Sequence, residues 1–128
     1  MTETVDTQGQ ITVPLGGTNY VLRPSFEAIA AIERKLGRSL YEMSGQALRG
    51  VLTIDDMAVI VSEMMRAYGK ACPDDPLGTS YRGAKAEKIA ELIFEAGSPN
   101  ITARIAVVLV GAVTGGYTSS GEVRTTEK

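Results

Sequence analysis

The sequence predicts an α+β domain that is mainly α: an N-terminal β-hairpin followed by about five helices packed as a small bundle. Three observations carry this. Apolar residues alternate on both sides of a Gly-Gly pair between Ile11 and Leu22. From Phe26 onward they recur instead at three- and four-residue steps. Ser or Thr precedes the early helical runs and glycine follows most of them. A chain of 128 residues suits one domain and can bury a core without metal or disulfide. Aromatic residues are only 5% and Trp is absent, so the core must be built from Ile, Val, Leu, Met and Ala.

The hairpin places Ile11, Val13 and Leu15 on one face and resumes with Tyr20 and Leu22 after Gly16-Gly17-Thr18-Asn19. Pro14 lacks a ladder donor and predicts an edge strand. Ser25 can cap the first helix, Phe26 to Leu36, whose apolar stripe is Phe26, Ile29, Ile32 and Leu36 and whose stop is Gly37. Ser39 with Glu42 has the spacing of a capping box and starts a short helix from Leu40 to about Arg49. Thr53 repeats the device, with Asp55 and Asp56 where the helix dipole favours negative charge. The helix it opens, Ile54 to about Ala71, has one stripe of Ile54, Ala58, Val61, Met65 and Tyr68 beside another of Met57, Ile60 and Met64. Asp55, Ser62, Arg66 and Lys70 bound that wide apolar face.

Residues 72–80 hold two prolines and a glycine and predict a loop. A fourth helix is expected from about Tyr81 to Ala96, with Ala86, Ile89, Ala90 and Ile93 inward and Gly97 as its stop. Ser98-Pro99 restarts the chain. Ile101 to Thr114 carries Arg104 as its only charge; its β-branched content would suit a buried strand, but length and the Ser-Pro start favour a buried helix. The expected organisation is a flexible N-terminus over 1–9, a single domain over 10–116, and a flexible C-terminal tail over 117–128.

Composition and charge narrow the function. Thirteen basic and fifteen acidic side chains leave a net charge of −2. The densest basic group, Arg34, Lys35 and Arg38, is interleaved with Glu27, Glu33 and Glu42, so no nucleic-acid stripe is expected. Cys72 is the only cysteine, and Met1 to Gln10 is polar and acidic rather than a secretory signal. Ile105 to Val113 is about half the length that spans a bilayer, so no membrane partner is expected. These features predict a cytoplasmic protein.

No reaction chemistry is apparent. Histidine is absent, which removes the commonest general base and metal ligand together. The carboxylate pairs Asp55-Asp56 and Asp74-Asp75 are explained by a cap and a turn. Glu87, Glu91 and Glu95 form a ladder on an exposed helix face, with Lys85 and Lys88 nearby. Gly69-Lys70 has Met64 where a P-loop needs its first glycine, and Ala71 follows the lysine. The chain is therefore read as a protein-binding domain, with no catalytic residue, cofactor or metal. Its candidate partner-binding residues are the adaptable Met57, Met64 and Met65 together with Leu92 and Phe94, which stand off the main stripe among Glu87, Lys88, Glu91 and Glu95. For any one of them, packing against the fifth helix is the simpler reading. Together they suggest more apolar surface than one small bundle covers, to be met by self-association or a protein partner.

The hairpin Ile11-Thr-Val-Pro-Leu-Gly-Gly-Thr-Asn-Tyr-Val-Leu22, the helix start Phe26-Glu-Ala-Ile-Ala-Ala-Ile-Glu33 and Leu36-Gly37, followed by a short and then a long helix, resemble the tail assembly chaperone-like proteins of gene transfer agents and long-tailed phages, also known as tail tube proteins. The resemblance is good over about residues 10–71 and in kind only beyond them. It implies a helper in tail or prophage morphogenesis that coats the long, apolar tape measure protein until tube subunits polymerise around it. The tape measure protein, and in second place the tail tube protein, are the partners it implies, and a homo-oligomer is compatible with it. Two alternatives stand beside it: a structural subunit whose hairpin adds to a neighbour's sheet, and a small helical DNA-binding regulator built on residues 26–49.

Overall fold

The computed structural model describes residues 11–124, so the N-terminal segment 1–9 lies outside the described residues. Strands β1 (Ile11–Leu15) and β2 (Thr18–Leu22) pair antiparallel around Gly16-Gly17, in register from Ile11 opposite Leu22 to Leu15 opposite Thr18. The Val21 amide leaves the pair and donates to the Tyr81 hydroxyl at 3.0 Å. Thr12 opposite Val21, and Pro14 opposite Asn19, therefore hold the outward-facing positions of an antiparallel ladder. Pro14 lacks an N–H only where the pair needs none. The Thr12 carbonyl, on that same outer edge, accepts from Arg104 at 3.2 Å.

Six helices follow: α1 (Phe26–Leu36), α2 (Leu40–Leu48), α3 (Ile54–Ala71), α4 (Pro76–Tyr81), α5 (Ala86–Ala96) and α6 (Ser98–Val113). Ser25 Oγ caps α1 by accepting from the Ala28 amide, and Ser39 Oγ caps α2 by accepting from the Glu42 amide. The reciprocal bond of the expected box, from the Ser39 amide to Glu42, is not formed among the described residues. The Leu40 amide is taken by Glu33 of α1 at 2.8 Å, which ties the two helices across their turn. At Thr53 the box is complete, because Asp56 also accepts from the Thr53 amide.

Helix α3 is the centre. It packs against α1, α4, α5 and β2, while α6 lies mainly on α2 and touches β1. The Arg23 amide, just past β2, donates to the Met64 carbonyl at 3.0 Å and fixes the hairpin to α3. Polar residues buried in α3 are satisfied. Ser62 donates to the Val59 carbonyl. Asp56 accepts from Arg38 at 2.6 Å, and Glu63 is clamped between Lys35 and Arg66, each at 2.5 Å. Burial would push both carboxyls up, but the hydrogen bonds from Arg38 and Thr53, and from Lys35 and Arg66, win and hold both below their ordinary values. Arg38 is raised correspondingly, first by its hydrogen bond to Asp56.

Four features depart from the sequence reading. Residues 76–80, expected within a loop, form α4 together with Tyr81: Asp75 accepts from the Leu77 amide and Pro76 sits in the first turn. Tyr81 thus belongs to α4, its ring tilted on Tyr20 and Tyr68 at 5.9 and 5.7 Å, and α5 begins only at Ala86. Ser62, expected at the boundary of the apolar face, is fully buried. Residues 117–124, expected to be a loose tail, fold back instead. Tyr117 bridges Val123, the Phe26 amide donates to Ser119 O, and Arg23 donates to Ser120 O and pairs with Glu122 at 3.6 Å. Gly121 has φ +91°, and a Cβ there would lie 2.8 Å from Arg23 Cγ, so the return depends on glycine. Among the described residues no helix is long and apolar enough to cross a membrane.

Because the folded carboxyls of Asp56 and Glu63 titrate below their unfolded values, they stabilise the fold above the ordinary carboxylate range. That contribution fades as pH falls through it and through the lower folded values. Urea midpoints measured against pH should therefore fall in acid, and less steeply in Glu63→Gln. Asp56→Ala removes half a capping box and strands Arg38, and should cost about 2–4 kcal/mol at neutral pH. At the crossing of α3 and α4, a Cβ on Gly69 would lie 2.6 Å from the Gly78 carbonyl, and one on Gly78 would collide with the Cys72 carbonyl. Both obstacles are backbone, so Gly78→Ala should cost roughly 1–3 kcal/mol in the same measurement.

Candidate protein-binding surface

The five residues singled out in the sequence separate into three environments. Met57, Met64 and Met65 are 1%, 0% and 3% exposed, so they belong to the core and not to a surface. The correction has a simple cause: α3 is enclosed by four other elements, and both of its apolar stripes are consumed in packing. Leu92 is half-buried, its Cδ2 3.7 Å from where a Cβ on Gly16 would stand, beneath the hairpin turn. Phe94 is the one in solvent, 74% exposed. It shares a shallow groove with Thr53, Ile54 and Ala90, and the charges lining that groove are Asp55, Glu91 and Glu95.

A larger apolar surface lies on α6. The helix is apolar on almost every side, yet α2, with lesser contacts from β1, α3 and α5, covers only part of it, where Ile101, Ile105, Ala106, Val108 and Leu109 are buried. Ala103 and Val107 face outward and Val110 and Gly111 are half-exposed. Their spacing places them on one ridge. The buried helix expected from the sequence is thus buried on one side, with Val107 70% exposed. A groove runs along each flank of the ridge. One is closed by the end of α2, with Leu48 68% exposed, and by Pro99. The other is closed by Ile11, Tyr117 and Val123.

The charges lining these two grooves are Arg49, Arg104 and Arg124, with no carboxylate among the lining residues. Arg104 and Arg124 are oriented by their bonds to the carbonyls of Thr12 and Tyr117. Burying a valine or leucine against a partner is worth about 1.5–3 kcal/mol, and the arginines would favour carboxylates beside the partner's apolar stripe. A third groove, between α1 and α3, contains exposed Phe26, but most of its charges are already paired with one another, Lys70 with Glu27 and Arg66 with Glu63, which leaves Arg34. It has less to offer a partner.

The titratable groups with displaced values serve the fold. The Tyr68 hydroxyl is held protonated first by its hydrogen bond to Asp75, and burial raises Tyr81 and Tyr117. Among the described residues no cluster of three His, Cys, Asp or Glu side chains could hold a metal ion. The α6 face was missed in the sequence because a charge-free run reads as burial, whatever covers it.

A family model described as "Phage tail tube protein, GTA-gp10" matches residues 8–116. No curated protein and no solved structure matches the chain.

Exposure at Phe94 and Val107 and burial at Met64 predict opposite responses to truncation. Phe94→Ser and Val107→Ala should change unfolding free energy by less than about 0.5 kcal/mol, whereas Met64→Ala should cost roughly 2–5 kcal/mol in urea denaturation.

Proposed function

This chain belongs to the phage tail tube protein, GTA-gp10 family, a group of structural rather than enzymatic tail proteins, and we propose that it acts in tail morphogenesis as an assembly chaperone that binds the tape measure protein. The observation carrying this reading is the outer face of α6, a ridge of small and branched apolar residues with a groove on each side and arginines at the rims. A holdase in the host cytoplasm needs apolar surface that accepts many segments of one long partner. It also needs enough charge around that surface to stay soluble alone. The ridge offers the first and Arg49, Arg104 and Arg124 the second. Tube subunits, the second expected partner, would displace the chaperone as they polymerise.

The family's own description favours a second reading, a structural subunit retained in the particle. Addition of the hairpin to a neighbour's sheet is a poor route to it. On the outer edge of β1, Pro14 has no donor and the Thr12 carbonyl is engaged by Arg104; on the outer edge of β2, the Val21 amide is engaged by Tyr81. A structural subunit would have to assemble through its helical faces.

Co-expression should keep the tape measure protein soluble and recover it bound to this chain. Val107→Glu places a carboxylate in the apolar groove and should reduce that recovery roughly tenfold or more. Quantitative mass spectrometry of purified particles separates the readings: absence or trace amounts support the chaperone, and many copies per particle support the structural subunit.

A further inference from the structure

We propose that residues 1–10 of this chain dock in the α6 groove closed by Ile11, Tyr117 and Val123, as a tethered cover for that flank of the ridge. The segment lies outside the described residues, but the place where it joins the fold is well defined. Ile11 both opens β1 and lines the groove. It pairs with Leu22, and the next residue, Arg23, holds the 117–124 return through Ser120 O and Glu122. A chain traced backwards out of β1 therefore enters beside the return, at the mouth of the groove. Reach is ample: a fully extended segment of this length spans about 33 Å, and α6 from Ala103 to Gly111 covers only about 12 Å.

Charge selects the same place. Glu3 and Asp6 are the only charged side chains in residues 1–10, and Arg104 and Arg124 are the only charges lining the groove. Both arginines are oriented by backbone carbonyls, and among the described residues neither has a carboxylate within ion-pair distance. Guanidinium groups so placed are matched to carboxylates. Val5 stands between the two acids and offers one branched apolar side chain to Val107, Val108 and Val123. The Phe94 groove is lined by Asp55, Glu91 and Glu95 and would repel the segment. The α1–α3 groove sets Glu27 and Glu63 against its cations.

The tether makes a weak contact sufficient. A segment joined directly to the groove wall meets it at an effective concentration on the order of millimolar. The covered flank is withdrawn from water until a tighter ligand displaces the segment, which lowers the apparent affinity for that ligand. The inference goes beyond tape measure binding and does not depend on it. If both hold, the tape measure protein displaces the segment from this flank.

Paramagnetic broadening in the amide spectrum of the full chain, with no partner present, tests the contact. A nitroxide is attached at Thr4→Cys in a Cys72→Ser background, with circular dichroism to verify folding. The amides of Val107, Val108 and Val123 should lose far more intensity than those of Phe94 and Glu95. Adding Glu3→Lys and Asp6→Lys should restore that intensity, and raising the salt should act in the same direction. The proposal is overturned if Val107 and Val123 keep their intensity, if the broadening is uniform or centred elsewhere, or if it survives the charge reversal. It is also overturned if the broadening appears when spin-labelled chain is mixed with isotope-labelled chain that carries no nitroxide, because the segment then docks on a neighbour. None of these outcomes touches the chaperone reading, which fails separately if co-expression recovers no complex.

Discussion

The helix Ile54–Ala71 is apolar over more than half its circumference, and every apolar side chain on it must be covered by some other part of the chain. Eleven of its eighteen residues are buried, and they include Asp56, Ser62 and Glu63. The arrangement of the domain follows from meeting that demand. Helices α1, α4 and α5 and strand β2 pack against it, and the buried carboxylates become anchor points. Arg38 reaches Asp56 from the α1–α2 turn, and Lys35 reaches Glu63 from α1 itself. Removing Arg38 would leave Asp56 without its cation, and removing Lys35 would leave Glu63 paired only within its own helix, so these pairs tie α1 and the α1–α2 turn to α3.

Enclosing α3 uses most of the covering elements a chain of this length can provide. Helix α6 is left on the outside, resting on α2 and the edge of β1, with an apolar side that nothing in the described chain covers. The return of residues 117–124 narrows one groove with Tyr117 and Val123 but leaves Val107 open. The distribution of apolar surface therefore separates two roles that composition alone merges. The methionine-rich α3 holds the fold together, while α6, with β-branched residues and an arginine rim, turns an uncovered apolar side outward.

What the sequence discloses follows the range of the forces involved. The hairpin, α1, α2 and α3 are specified by local signals: alternation about Gly16-Gly17, the caps at Ser25, Ser39 and Thr53, and apolar spacing. The structure places these elements close to where those signals put them. Helix α4 was hidden because Asp75-Pro76 serves equally as a turn and as a helix start; what decides is Tyr81 reaching the hairpin. The docking of residues 117–124 depends on backbone groups near Arg23, about a hundred positions away, which no local pattern discloses. The same limit explains the methionines and Val107. Periodicity identifies which side of a helix is apolar, but coverage depends on which other helix arrives there.

The central claim is that the outer face of α6 receives the tape measure protein. Amide hydrogen exchange on the chain with and without a soluble tape measure fragment tests it most directly. The account predicts added protection over residues 103–111, at the end of α2 and in the 117–124 return, with α3 unchanged because it is already enclosed. Binding with no added protection on α6, or with protection confined to the hairpin, would contradict it.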